Sequence, residues 1–237
     1  QVKNSDPQEV TSVTLEDNDV TVDEETGRIT DFTDSTKAKA LSEGAELIIP
    51  ETLDGITITG ISDRPANSSD GVFDNDRMTD LAGLDQDGPG ISKVTFKGLL
   101  NIDYIGSYAF YDNQLTDISL PNVSTIGYSA FSSNQLTDIS LPNVSTIDNH
   151  AFTENQLTDI SLPSVSTIGE YAFMENQLTD ISLPNVSTIG EYAFQDNQLT
   201  NIKLPTGTNL EEGAFTNQNI SHPVMASAEG EIAFDDL

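Results

Sequence analysis

Phenylalanine returns every 21 residues through the second half of the chain, at Phe110, Phe131, Phe152, Phe173, Phe194 and Phe215. A large apolar side chain at so fixed an interval admits few folds. It requires a stack of similar units, each placing the same residue in a shared interior. Four near-identical units begin at Leu115, Leu136, Leu157 and Leu178, and a fifth, from Leu199, drifts toward its end. The first reads L-T-D-I-S-L-P-N-V-S-T-I-G-Y-S-A-F-S-S-N-Q. One unit upstream, Ile91-x-x-Val94-x-Phe96 carries three extra residues before Tyr104-Ile105-Gly106.

Within a unit the spacing of Leu115, Ile118 and Leu120 points these side chains inward and turns Thr116, Asp117 and Ser119 out. The alternation around Ser119 is that of a strand. Pro121 cannot donate to a ladder and ends it. The rest of the unit must turn back so that the next strand lies beside the first, and such parallel crossovers are right-handed. The return adds Val123, Ile126, Ala130 and Phe131 to the interior. It is too short for an ordinary α-helix, so a 3-10 turn or an extended corner is expected. One unit cannot bury enough to stand alone; its neighbours must share the burial.

L-x-x-I-x-L-P followed by I-G-x-x-A-F resembles the BspA-type leucine-rich repeat of bacterial surface proteins. Leu47-Ile48-Ile49-Pro50-Glu51-Thr52-Leu53-Asp54-Gly55 is similar to that family's first coil, so the resemblance spans about residues 45–219. It implies a secreted or cell-surface protein used in adhesion and protein interaction. One departure stands out: family members often carry Cys after A-F-x-x, where this chain has Asn113, Asn134, Asn155, Asn176 and Asn197. The expected fold is a β-rich leucine-rich-repeat solenoid with 21-residue coils, a parallel β-sheet on one face, short 3-10 or irregular returns and an N-terminal β cap.

Residues 1–46 show no repeat. Val13-Thr14-Leu15, Val20-Thr21-Val22 and Arg28-Ile29-Thr30 read as short strands between acidic turns. An open solenoid end exposes apolar core, and this segment is expected to cap it. The solenoid itself is expected over 47–219, with polar loop insertions at about 63–71 and 78–90. Residues 220–237 read as a C-terminal cap or as the start of a truncated β domain.

Three rows of residues are candidates for function. Asn113, Asn134, Asn155, Asn176 and Asn197 are expected to be structural, pairing backbone groups at a turn in their own and adjoining coils. Asp117, Asp138, Asp159 and Asp180 should stack about 5 Å apart, the spacing of parallel strands. Such a row is either a solvated polar face or a site for divalent cations such as Ca²⁺. The loop at Asp85-Gln86-Asp87-Gly88 is a weaker calcium candidate, without the twelfth-position Glu of a calcium loop. The third row is the corner before Phe, where units differ most: Tyr108, Tyr128, His150, Tyr171 and Tyr192. Aromatic residues favour interfaces, and packing between coils is the rival reading.

Charge narrows the partners. Nine Lys and Arg face 39 Asp and Glu, for a formal net of −30. That disfavours nucleic acid and anionic lipid, both of which attract cationic proteins. No run approaches the eighteen or so apolar residues of a membrane helix, so no membrane insertion is expected. The absence of cysteine removes disulfides and thiolate sites and suits a protein secreted or attached to the wall of a Gram-positive bacterium. The two histidines and the many scattered carboxylates form no catalytic constellation. The expectation is an adhesin-like scaffold for a protein or polysaccharide on a host or neighbouring cell, without an enzymatic cofactor. The alternative is a stalk that spaces another domain from the surface.

Overall fold

The computed structural model describes residues 11–64, 68–218, 224–227 and 230–233. They form a strand-rich solenoid whose successive coils pair in parallel. The L-x-x-I-x-L strands lie side by side on one face. Glu46–Ile49 sits between Ser12–Thr14 and Lys93–Phe96; Asp138–Ser140 pairs with Asp159–Ser161; Asp180–Ser182 pairs with Asn201–Lys203. Ile139 faces Ile160 and Asp138 faces Asp159, so each side chain meets its equivalent one unit away.

A second sheet corrects the expectation of one β face. The Thr-Ile pairs of the return are short strands of their own. Together they form the largest sheet, nine strands long, from Asn209–Leu210 through Thr188–Ile189, Thr167–Ile168, Thr146–Ile147, Thr125–Ile126, Tyr104–Ile105 and Gly60–Ile61 to Arg28–Phe32 and Val20–Val22. Two residues suffice because the stack aligns β-branched Thr and Ile in register, Thr146 on Thr167 and Ile147 on Ile168. Of the expected 3-10 or irregular returns, the regular coils show turns; among the described residues the one 3-10 segment is Leu99–Asn101, before the regular coils.

The N-terminal strands appear where the sequence places them, at Ser12–Thr14, Val20–Val22 and Arg28–Phe32. Their partners were not foreseen. Ser12–Thr14 extends the first sheet and Arg28–Phe32 the second, both in parallel, so this segment follows the path of a coil despite lacking the repeat. Val20–Val22 then pairs antiparallel with Arg28–Phe32 at the edge of the nine-stranded sheet. At the far end, Val224–Ser227 joins Asn201–Lys203 in parallel and pairs antiparallel with Gly230–Ala233. Phe234 lies outside the described residues.

Two helices also depart from the sequence reading. Helix α1, Ser35–Ser42, is capped by Asp34, whose carboxylate accepts from Lys37 N. Helix α2, Asn75–Ala82, lies partly in the 78–90 stretch expected to be loop. Asp74 caps its start, and Gly83, with φ of +67°, ends it. Each has only two turns and little apolar content, so its sequence carries a weak helical signal. Packing stabilises them: Ser42 and Thr79 share a hydroxyl hydrogen bond of 3.1 Å between the helices. Lys37 Nζ lies 2.6 Å from the buried Asp19 carboxylate, and Arg77 pairs with Asp31.

The core runs along the axis as a column of rings. Phe110, Phe131, Phe152, Phe173, Phe194 and Phe215 stack at centroid distances of 5.2 to 5.6 Å with interplanar angles of 7 to 15°. Offset ring pairs of this kind add roughly 0.5–1.5 kcal/mol each beyond burial. The column continues into the irregular coils, to Phe73 at 5.8 Å and then Phe32 at 5.7 Å. Helices and insertions break the 21-residue spacing there, which hides these two members from a periodicity search.

Beside the rings, the Asn row closes each coil. Asn155 is buried; its Nδ2 donates to Phe131 O at 2.8 Å, Phe152 O at 3.2 Å and Thr153 O at 3.3 Å, and its Oδ1 accepts from Leu136 N at 3.0 Å. Asn134, Asn176 and Asn197 make the equivalent bonds. Asn113 accepts from Ile91 N and donates to Phe73 O and Tyr111 O. Gln218 takes the position after Asn197, accepting from Leu199 N and donating to Phe194 O.

Replacing Asn155 by Ala leaves Leu136 N without its acceptor in a dry interior. Chemical denaturation is expected to show a loss of roughly 2–4 kcal/mol, the cost of one or two orphaned buried groups. Glu175, exposed at φ of +55°, provides the contrast. Glu175→Gly is expected to be neutral or to stabilise by up to about 1 kcal/mol, because glycine adopts the left-handed region without steric cost.

Candidate interaction surface

Each coil contains two residues at positive φ. The first set is Tyr108, Ser129, His150, Tyr171 and Tyr192, at 50 to 59°, followed by Gly213 at 65°. The second is Asp112, Ser133, Glu154, Glu175, Asp196 and Asn217, at 51 to 55°. Non-glycine residues are strained in this region, and the stack holds them there by bonding each turn to the next coil. Tyr171 N donates to Glu191 O at 2.9 Å and Phe173 N to Ala193 O at 2.8 Å. These turns bring the corner side chains to the surface.

The corner residues form one continuous row. Ring centroids are 5.2 Å apart from Tyr108 to Tyr128, 5.5 Å from Tyr128 to His150, 4.8 Å from His150 to Tyr171 and 5.3 Å from Tyr171 to Tyr192. Tyr128 belongs to the row although it sits one position earlier in its coil; Ser129 takes the left-handed place and the ring still reaches the stack. All five are half-buried. His150 and Tyr171 lie within 13° of parallel, Tyr171 and Tyr192 within 17°. Faces in this half of the row are therefore turned to one another, and the outer surface consists of ring edges and polar tips. Gly213 ends the row: a Cβ there would come within 2.4 Å of the Tyr192 ring.

At the other end the chain's own cations meet aromatic rings. The Arg28 guanidinium lies 3.9 Å over Tyr104 and also 3.9 Å from Asp103. Arg64 lies 5.9 Å from the Tyr108 ring centre, beside a cavity of about 290 Å³ lined by Arg64, Ser107, Tyr108 and Tyr128. Asp63 accepts from Tyr104 Oη at 2.9 Å and from Ser107 N at 2.8 Å. Burial and that bond push the Tyr104 hydroxyl up to about 12. Sequence reasoning missed Arg28, Arg64 and Tyr104, which come together only through coil stacking.

Carboxylates flank the row. Glu170, Glu191 and Glu212 are exposed at the same place in successive coils, one residue before Tyr171, Tyr192 and Gly213. Glu212 is the main cause of a raised Tyr192 hydroxyl pKa. Burial lowers the His150 imidazole pKa and the Glu170 charge opposes it.

Asp138, Asp159 and Asp180 lie exposed at the starts of the L-x-x-I-x-L strands, and Asp117 lies exposed at the equivalent position of a coil that forms no strand there. Thr116, Thr137 and Thr179 hydroxyls donate to the following Asp at 3.4, 3.3 and 3.0 Å. Thr158 bonds Thr137 O instead, and Asn201 follows Asp180 in the register. Among the described residues no three carboxylate or imidazole groups converge to hold a metal ion. Asn122, Asn143 and Asn185 donate to carbonyls of the preceding coil, at Leu100, Pro121 and Pro163.

One buried acid links the 63–90 region to pH. Asp74 is 2% exposed at the start of α2. Burial raises its pKa to about 7, against the opposing hydrogen bonds from Asp76 N and Gly71 N. A folded pKa above the unfolded value means tighter proton binding in the folded state, so this contribution to stability is complete below about pH 4 and is lost as pH rises toward 7. The melting temperature of the wild type is expected to fall relative to Asp74→Asn across that window. A constant difference from pH 4 to 8 would contradict the assignment.

No helix among the described residues is long and apolar enough to cross a membrane. No curated protein and no solved structure matched the chain. The BspA type leucine rich repeat region matches residues 91–227 in six copies, starting two coils later than the structural stack, in which Ser12–Thr14 with Arg28–Phe32 and then Glu46–Ile49 with Gly60–Ile61 already pair into both sheets. With more than half of its length matched, the chain belongs to the BspA-type leucine-rich-repeat family, a class of protein-interaction repeats.

Proposed function

We propose that the protein is an extracellular, adhesin-like scaffold that meets a partner protein along the aromatic row. The observation that carries this reading is the unbroken, half-exposed stack from Tyr108 to Tyr192. Aromatic side chains supply large contact area at low entropic cost and are enriched at interface centres. The strand face is nearly identical from coil to coil, whereas the corner varies, as a surface fitted to an irregular partner must. A sugar stacks on an open ring face; from His150 to Tyr192 the faces are turned to neighbouring rings, so a protein fits better there than a polysaccharide.

The supporting framework is non-catalytic. Repeats of this family are typically found on surface proteins, and a cysteine-free, strongly acidic chain suits secretion or wall attachment in a Gram-positive bacterium. The segments outside the regular coils act as caps. Val20–Val22 closes one end of the larger sheet with an antiparallel strand, and Gly230–Ala233, antiparallel to Val224–Ser227, does the same for the sheet that contains Asn201–Lys203.

Pull-downs against immobilised matrix and neighbouring-cell proteins test the proposal. Tyr171→Ala with Tyr192→Ala is expected to weaken capture at least about tenfold, the size of one interface hot spot. Capture that survives this change but is lost with Asp85→Ala and Asp87→Ala would move the site to the insertion before Gly90. Absence of any captured protein would favour the stalk.

A further inference from the structure

The repeats between Lys97 and Lys203 contain no Lys or Arg at all. Their carboxylates therefore have no cationic side chain within the same stretch, and the few ion pairs in the described residues cluster in the N-terminal coils. Both parts are acidic, but only the N-terminal end holds cationic side chains that pair some of its acids.

At the N-terminal end the chain's own cations already lie near rings, one at Tyr108 of the row and one at Tyr104, which stands in register with Thr125 in the larger sheet rather than in the row. Arg28 sits over the Tyr104 ring with Asp103 beside it, and Arg64 approaches Tyr108 next to Asp63. A cation over an aromatic ring with a carboxylate alongside is favoured on both counts. Further along, the same two ingredients recur each coil: Tyr171 with Glu170 and Glu191, then Tyr192 with Glu191 and Glu212. The Glu212 charge reaches the Tyr192 hydroxyl and the Glu170 charge reaches His150, so acids and rings share one local field.

We infer that the aromatic row docks a cationic segment of its partner protein, with Lys or Arg side chains meeting the Glu170, Glu191 and Glu212 carboxylates alongside the outward ring edges and tyrosine hydroxyls. This rests on the aromatic row being the binding surface and adds the chemistry of the partner. Ring edges and tyrosine hydroxyls line the contact, and the three glutamates supply the charge. A second copy of this chain is a poor occupant, since each carries a net −30. The overall charge also speeds encounter with a basic partner and makes it sensitive to salt.

The test measures fluorescence anisotropy of two labelled peptides, an Arg-Ser repeat and a Glu-Ser repeat, at low and high salt. The proteins are the wild type, the triple variant Glu170→Gln, Glu191→Gln, Glu212→Gln, and the charge-matched control Asp138→Asn, Asp159→Asn, Asp180→Asn. All six positions are exposed, so both variants are expected to melt as the wild type does. The basic peptide should bind and the acidic one should not. The Glu variant should bind at least about tenfold more weakly, with the Asp control within about twofold, as befits local pairs rather than diffuse attraction. Equal losses in both variants, binding of the acidic peptide or no binding of the basic one would overturn the inference. So would self-association of the wild type that the Glu changes abolish. If Tyr171→Ala and Tyr192→Ala lower capture of the partner protein while the Glu variant captures it normally, the aromatic row stands as the site and its cationic ligand does not.

Discussion

One buried amide per coil holds this solenoid together. The return of each coil has no helix to satisfy its backbone, so polar groups around the phenylalanine would be stranded in a dry interior. Asn134, Asn155, Asn176 and Asn197 supply donors to carbonyls in their own and the preceding coil, and an acceptor for the N–H of the leucine that opens their own coil. An unpaired buried amide costs more than a formed bond contributes, so the position tolerates little change. Gln218, one methylene longer, takes the same role at the last described coil, which shows that the amide rather than the exact side chain is required.

Those bonds also shape the outer surface. With the return pinned, its turn must pass through two left-handed residues, and the coil-to-coil hydrogen bonds hold non-glycine residues there. The aromatic corner is a by-product of that turn that selection can vary without touching the core. This explains why the interior and the strand face repeat almost unchanged while the corner carries Tyr, His, Asn and Glu. The core column and the surface row run parallel, one of phenylalanine and one of tyrosine and histidine, each stepping about 5 Å per coil.

Much of this was legible in the sequence wherever the repeat was regular. The inward Leu, Ile and Phe positions followed from spacing alone, as did the rows of Asn, Asp and aromatic residues. The second sheet was not legible, because two-residue Thr-Ile strands are too short for any alternation to register; only stacking makes them strands. Helices α1 and α2 were hidden for a similar reason, being two turns long and stabilised by contact with each other and with Asp19 and Asp31. Phe32 and Phe73 escaped notice because insertions shift their spacing, although they occupy the same column.

The residues of the repeat, by themselves, determined a stacked β-rich solenoid of this family and a surface ruled by rows. The reason is physical: identical units at a fixed period can share an interior only by translation along an axis. What the tertiary structure alone decided is which side chains meet across coils. It placed Arg28 over Tyr104, brought Tyr128 into the aromatic row from an offset position, and set glutamates beside rings. Those meetings depend on turn geometry and on register between distant segments, which no local pattern encodes.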